Sequence, residues 1–458
     1  MRSNAATRGA EATSPGLASP LWPAITTVSG AFGILLATAY MLRNSILVLW
    51  PVIPEAIWKP ATYAVLIACG LVLAAGGRKT VMPVGLLPVG AALIGSAISI
   101  LPQQSLPKWA GWALLMLVAG PAVLGEAARQ MRASAWRTTR LWLLAVGVVS
   151  AGWFFLRLPV LGLGDFTGVM MHAMLVGPMA GMGAVYALNF AITRKSVKWA
   201  ILAALCVVTC LASGSRVAVA ALTVATLVVL LSRFRLSRFA WLAVVVLVSV
   251  HFFARLPLES DSVLYEMTRT LSEKGLVNTR EHLWQARVQE FKTHPFFGVG
   301  VGMAEGPGLV GAGTGSVNVE PGSSYLALLS MSGLAGTAAL ACLVIQLGLL
   351  VKAKSAQIPR ERLAELMGIG AYLAVHAVGE GWILGVGSPL CFIFWLWLGN
   401  MADAAAAKEP LNMARHSGAR TVRKRRLNRG EEALAPRPAT PVSAVRPKTC
   451  ASFSGRTS

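Results

Sequence analysis

Apolar stretches about as long as a bilayer is thick recur along most of this chain. A hydrocarbon core of ~30 Å takes about 20 residues of helix, with a working range of about 17–25. On that ruler twelve runs stand out, at 23–42, 60–77, 81–101, 109–125, 141–156, 166–192, 199–212, 217–232, 239–254, 325–351, 363–384 and 387–401. The stretch 45–57 is also apolar, but Pro51 and Pro54 interrupt it, and it reads as an interfacial loop. Composition agrees: of 458 residues, 55% are hydrophobic and only 13% charged, whereas a soluble domain uses about 25% charged residues to cover its surface. No small-residue cleavage site follows a short apolar core near the N-terminus, so the first run is expected to stay in the protein as an anchor.

The positive charges give an orientation. With the N-terminus in the cytoplasm and alternating spans, the inside loops carry sixteen Lys and Arg, among them Arg78, Arg129, Arg132, Arg140, Arg194, Arg233 and Lys352. The short outside loops and helix ends carry five: Arg43, Lys59, Lys108, Arg157 and Arg216. Lys and Arg accumulate on the cytoplasmic side, so the bias predicts both termini inside. It also explains the net charge of +22 without nucleic acid, because the charges lie in loops and tail rather than on one binding face.

One outside loop, about 255–324, is long and has two more acidic than basic residues. Its first half reads as helix and its second half is Gly-rich; a loop of this length with mixed aromatic and charged content reads as an ordered, working loop. The segment after 401 carries the run Arg423–Arg426 with scattered Pro and Ser, and reads as a disordered basic tail able to touch anionic head groups. The fold expected is therefore all-α: a polytopic bundle of about twelve transmembrane helices over 23–401, with a cytoplasmic segment 1–22 before it and the tail 402–458 after it. Five of the six cysteines lie inside apolar runs, where core packing accounts for them and no disulfide is expected.

Ionisable groups at membrane depth are costly and each needs a reason. Asp165, His172 and His251 fall near the outer ends of their spans, where pairing between helices is the plainer explanation. His376 and Glu380 are four apart and would share a helix face at the outer end of the eleventh span. Arg216, in Ser213–Gly214–Ser215–Arg216, opens a span at the outer side, where its planar fork suits a phosphate or diphosphate. In the loop, Arg280 and Arg287 are seven apart on one helical face, with Trp284 and Phe291 in a parallel stripe that an interfacial helix alone would explain. The Gly298–Gly302 segment follows a helix and Pro295 and lacks the Lys-Ser/Thr of a phosphate loop, so it is not read as a nucleotide site.

Taken together, these strings resemble the O-antigen ligase and polymerase superfamily. The carriers are Arg280 and Trp284, then His294, Pro295, Gly298 and Gly300; the Ser215–Arg216 pair at a helix start; and the segment 323–336 at the start of the span after the loop. The resemblance runs over roughly 166–401. It implies transfer of an undecaprenyl-diphosphate-linked glycan at the periplasmic face of the bacterial inner membrane, to a glycan or lipid acceptor, with membrane lipids as surroundings, no nucleic acid and no cofactor or metal. Arg216, Arg280 and Arg287 would hold the diphosphate, with His294, Ser324 and His376 in support. Ligases carry His-Asn just before the post-loop helix, where this chain has Gly322 and Ser323. The general base then falls to Glu320, with Glu380 second. A transporter or flippase is the competing reading; it would call for internal repeats and broken helices at the midplane, and no convincing repeat is present. A non-catalytic assembly protein is the third.

Overall fold

A computed structural model describes residues 22–43, 45, 55–76, 80–99, 101–158, 166–233, 281–303 and 322–406. Among these residues there are twelve α-helices: α1 (Trp22–Leu42), α2 (Glu55–Ala75), α3 (Pro83–Ala97), α4 (Pro102–Ala119), α5 (Glu126–Phe155), α6 (Ala173–Arg194), α7 (Val197–Ala212), α8 (Arg216–Arg233), α9 (Glu281–Thr293), α10 (Ser324–Ala353), α11 (Arg360–Gly379) and α12 (Pro389–Ala406). Two two-residue strands, β1 (Thr80–Val81) and β2 (Val123–Leu124), pair antiparallel. Helices occupy eleven of the twelve apolar runs; the run at 239–254 lies outside the described residues, as do most of the loop 255–324 and the segment from 407 onward. Five helices, α5, α6, α8, α10 and α12, are long and apolar enough to cross a membrane.

The helices sort their faces as a bundle in lipid would. Large apolar side chains stay exposed on the outside, such as Leu71 at 65%, Ile345 at 60% and Leu349 at 61%, in the number that marks a surface facing something other than water. Inside, small residues let backbones touch: a Cβ on Gly33 of α1 would run into the Met131 carbonyl of α5. Such close approach is how membrane helices gain packing energy where lipid removes the hydrophobic drive between them.

Several boundaries differ from the sequence expectation. The sixth run starts helix only at Ala173, because Gly168 has φ +52° and His172 caps the helix, its Nδ1 accepting from the Met174 N–H at 3.1 Å. The eleventh run leaves the helix after Gly379, and Glu380 is extended at φ −137°, ψ 134°. His376 and Glu380 therefore do not share a helical face. The last helix continues to Ala406, four residues past 402, because Asp403 has a buried partner.

That partner is Arg132, placed in an inside loop by the apolar-run reading and found instead inside α5. Its Nε and Nη2 donate to the Asp403 carboxylate at 2.8 and 2.6 Å, and its Nη1 donates to the carbonyls of Gly120 (3.1 Å) and Val123 (2.9 Å). Two further residues at helical spacing on α5, Trp136 and Arg140, both donate to Glu365 of α11. The helix ends opposite Arg216 are thus tied by buried, fork-to-fork ion pairs.

α10 is broken at Gly333, which has φ 63°, ψ −167°. A break in an apolar helix exposes backbone groups that lipid cannot satisfy, so protein must. Here the segment after α9 does it. The N–H groups of Val299 and Gly300 donate to the carbonyls of Ser330 (2.8 Å) and Met331 (3.1 Å) before the break. Those of Leu334 and Ala335, beyond it, donate to Pro295 (2.8 Å) and Phe296 (3.0 Å). The His-Pro-x-x-Gly-x-Gly string is thereby a backbone splice, not an anion loop. Its glycine at 298 has φ +72°, and a Cβ there would lie 2.5 Å from the Ser330 carbonyl oxygen. Gly298→Ala is expected to lower the stability of the detergent-solubilised protein by about 2 kcal/mol, from overpacking and positive-φ strain together; an unchanged thermal midpoint would show that the splice is dispensable.

Candidate functional site

α8 begins where α11 ends and α10 starts, and most described candidate residues meet there. Ser213 and Ser215 shape the entry to α8: the Ser213 hydroxyl donates to the Cys210 carbonyl at 2.7 Å, and the Ser215 hydroxyl caps the helix by accepting from the Ala218 N–H at 3.3 Å. Arg216 is then the first helical residue. Its Nη1 is buried and has no hydrogen-bond partner among the described residues.

The next residue, Val217, is what a Cβ on Gly379 would strike at 2.5 Å, so the start of α8 and the last turn of α11 are in direct contact. Beyond Gly379 one hydroxyl makes three of the bonds that hold the chain. Ser324, fully buried at the first position of α10, donates to the Glu380 carbonyl at 2.6 Å. The same oxygen accepts from the N–H groups of Trp382 (2.9 Å) and Ile383 (3.3 Å). Ser323 adds a bond to the Ala377 carbonyl at 3.4 Å. The Trp382 indole N–H donates to His376 Nδ1 at 3.0 Å, which puts the ring proton on Nε2. Arg216, His376, Glu380 and Ser324 therefore belong to one corner, built by the ends of three helices.

The loop helix joins this corner through Trp284, whose indole N–H donates to the Gly322 carbonyl at 3.1 Å. Gly322 and Ser323, the residues standing where ligases carry His-Asn, thus sit between Trp284 and α11. Arg287, one turn further along α9, is completely buried: its Nη1 donates to Glu290 at 2.8 Å and to the Met303 carbonyl at 3.3 Å. Burial lowers the Arg287 pKa, and the Glu290 carboxylate opposes that shift. His294 follows α9 directly, and its carbonyl accepts the Gly298 N–H at 3.0 Å to start the splice. Arg280, Glu320, Asp165 and His251 lie outside the described residues.

Sequence reasoning passed over Trp382 and the break at Gly333. Glycine inside a span is common in membrane helices, so Gly333 did not stand out.

Residues 201–341 match a family model described as O-antigen ligase. The matched stretch runs from within α7 to within α10, and so contains Arg216, Trp284, the splice and Ser324, while His376 and Glu380 lie beyond it. No curated protein matches the chain. With five helices able to cross a bilayer and this family region across the Arg216 corner, the chain is an integral membrane protein that carries an O-antigen ligase family region over residues 201–341.

Proposed function

We propose that the protein transfers an undecaprenyl-diphosphate-linked glycan to an acceptor hydroxyl at the periplasmic face of the bacterial inner membrane, with both termini in the cytoplasm. The observation that carries this reading is Arg216. A cation at the first residue of a helix opposes the helix dipole, at a cost of about 0.3–1 kcal/mol, and here one guanidinium nitrogen is also buried with no hydrogen-bond partner among the described residues. Both costs turn to advantage when an anion binds, because the exposed N–H groups and the guanidinium then point at the same charge.

The acceptor oxygen attacks the anomeric carbon, the bond from that carbon to the diphosphate oxygen breaks, and the electron pair leaves with the diphosphate. Arg216 and Arg280 neutralise the charge that develops there, with Arg287 contributing field from its buried position; on this reading no metal is required. The proton of the acceptor hydroxyl passes to a carboxylate, Glu320 first and Glu380 second. Glu380 is supported by its place beside Ser324 at the Arg216 corner. A transporter reading draws on the broken α10, but backbone groups on both sides of that break are paired with the segment 295–300.

Deleting the protein is expected to leave glycan on the lipid carrier. Single repeats would indicate a lost polymerase, and long chains a lost ligase. An unchanged pool of lipid-linked glycan would sink both. Glu320→Gln and Glu380→Gln, compared in the same assay, identify the base by which one stops transfer.

A further inference from the structure

Lys108 is a second cation at the same end of the bundle, set apart from Arg216. It lies on α4, one turn before Trp112, whose indole N–H donates to the Ile383 carbonyl at 3.2 Å. Ile383 belongs to the stretch that Ser324 holds, so α4 and α8 flank that stretch from its two ends: Val217 against Gly379, Trp112 against Ile383. Glu380 lies between them.

The surroundings of Lys108 are built rather than incidental. Its Nζ donates to the Gly302 carbonyl at 2.8 Å, and its stem lies over Gly302 (φ +70°), where an added Cβ would run into the Lys108 Cδ. One turn earlier, Ser105 donates to the Val301 carbonyl at 3.1 Å. The next carbonyl, Met303, takes Nη1 of the wholly buried Arg287 at 3.3 Å, whose Nε and Nη2 have no partner among the described residues. Two cations thus rest on successive carbonyls, with a single carboxylate, Glu290, paired to Arg287. Lys108 itself is half-buried and has no carboxylate partner among the described residues. An ammonium so placed loses hydration without gaining a counter-charge among the described residues, and its bond to Gly302 uses one of three N–H donors.

We infer that Lys108 heads a second anion subsite, which takes a phosphate or carboxylate carried by the acceptor glycan and is distinct from the diphosphate site at Arg216. The inference rests on the proposed glycan transfer for the word acceptor. Its geometry gives that reaction a direction: donor diphosphate on the α8 side, anionic acceptor on the α4 side, and the Glu380 corner between. Arg287 is not a ligand here; it adds positive field behind Gly302 and Met303.

The test uses full-length protein in detergent, with tryptophan fluorescence as readout, since Trp112 lies one turn from Lys108 and Trp382 bonds His376 at the Arg216 corner. The probes are farnesyl diphosphate, glucose 6-phosphate, glucuronate and glucose. Wild type is expected to bind at least one anionic sugar at least tenfold more tightly than glucose. Lys108→Met, which keeps the stem, should lose that preference while holding farnesyl diphosphate as wild type does; Lys108→Gln, which also keeps a donor for the Gly302 carbonyl, should behave the same. Arg216→Ala should show the reverse. Which of glucose 6-phosphate and glucuronate binds better distinguishes a phosphate from a carboxylate. Equal binding of glucose and both anionic sugars by wild type, or unchanged anionic-sugar preference in both Lys108 variants, overturns the inference. So does a loss of farnesyl diphosphate binding in those variants, which would move Lys108 into the donor site. If Arg216→Ala alone leaves farnesyl diphosphate binding intact, the diphosphate assignment fails and the Lys108 subsite still stands on its own arm.

Discussion

Arg132→Ala is expected to destabilise the protein by about 3–5 kcal/mol, the cost of stranding a buried charge. Arg132 is fully buried, and its loss leaves the Asp403 carboxylate, itself only 11% exposed at the side chain, without its two donors. The carbonyls of Gly120 and Val123 lose a donor at the same time. Because these bonds tie the end of α12 to α5 and to the turn before β2, the damage should spread to both segments. The informative control removes both charges. Arg132→Met with Asp403→Leu fills the space with apolar atoms and should cost far less than either single change, since the desolvation of both ions is avoided. Thermal unfolding of the solubilised protein measures all three. A single variant within about 1 kcal/mol of wild type, in the range of exposed ion pairs, would mean that water reaches this end of the bundle and screens the pair.

Arg132 also shows what the sequence could and could not tell. Hydropathy places a helix on each run it can be compared with, because a long apolar run in lipid has no other way to satisfy its backbone. The ends were less legible. A run of apolar letters reads alike whether the helix stops at Gly379 or five residues later, and only the bond from Ser324 to the Glu380 carbonyl decides it. The helical start at Glu126 was missed because Arg132 and Arg140 look like loop charges when their partners, Asp403 and Glu365, lie more than 200 residues away in sequence. The position of Arg216 at a helix start was legible for the opposite reason. Its oddity is local, a cation at a helix start in an apolar chain, so no distant partner was needed to notice it. The splice was half legible: the glycines were visible, and a phosphate loop was set aside on their context, yet their purpose depends on a break in α10 that one Gly among many could not announce.

Arg216→Ala should reduce the turnover of glycan transfer by about 10²–10³-fold, the loss that follows removal of one charge-stabilising donor from a reaction centre. The fall should appear in kcat more than in KM, because the negative charge on the leaving diphosphate grows as the glycosidic bond breaks and the guanidinium gains most at that point. Arg216→Lys keeps the charge but not the two-pronged geometry, and should recover only part of the rate. The folded protein should tolerate both. Arg216 makes no ion pair among the described residues, and its position against the dipole of α8 means that alanine there is neutral or slightly stabilising. This opposite movement of stability and rate separates a site residue from a structural one: Arg132 should lose stability first, Arg216 rate alone. A melting temperature that falls with activity in Arg216→Ala would make the residue a structural tie like Arg132, and normal glycan transfer by the variant would remove it from the reaction altogether.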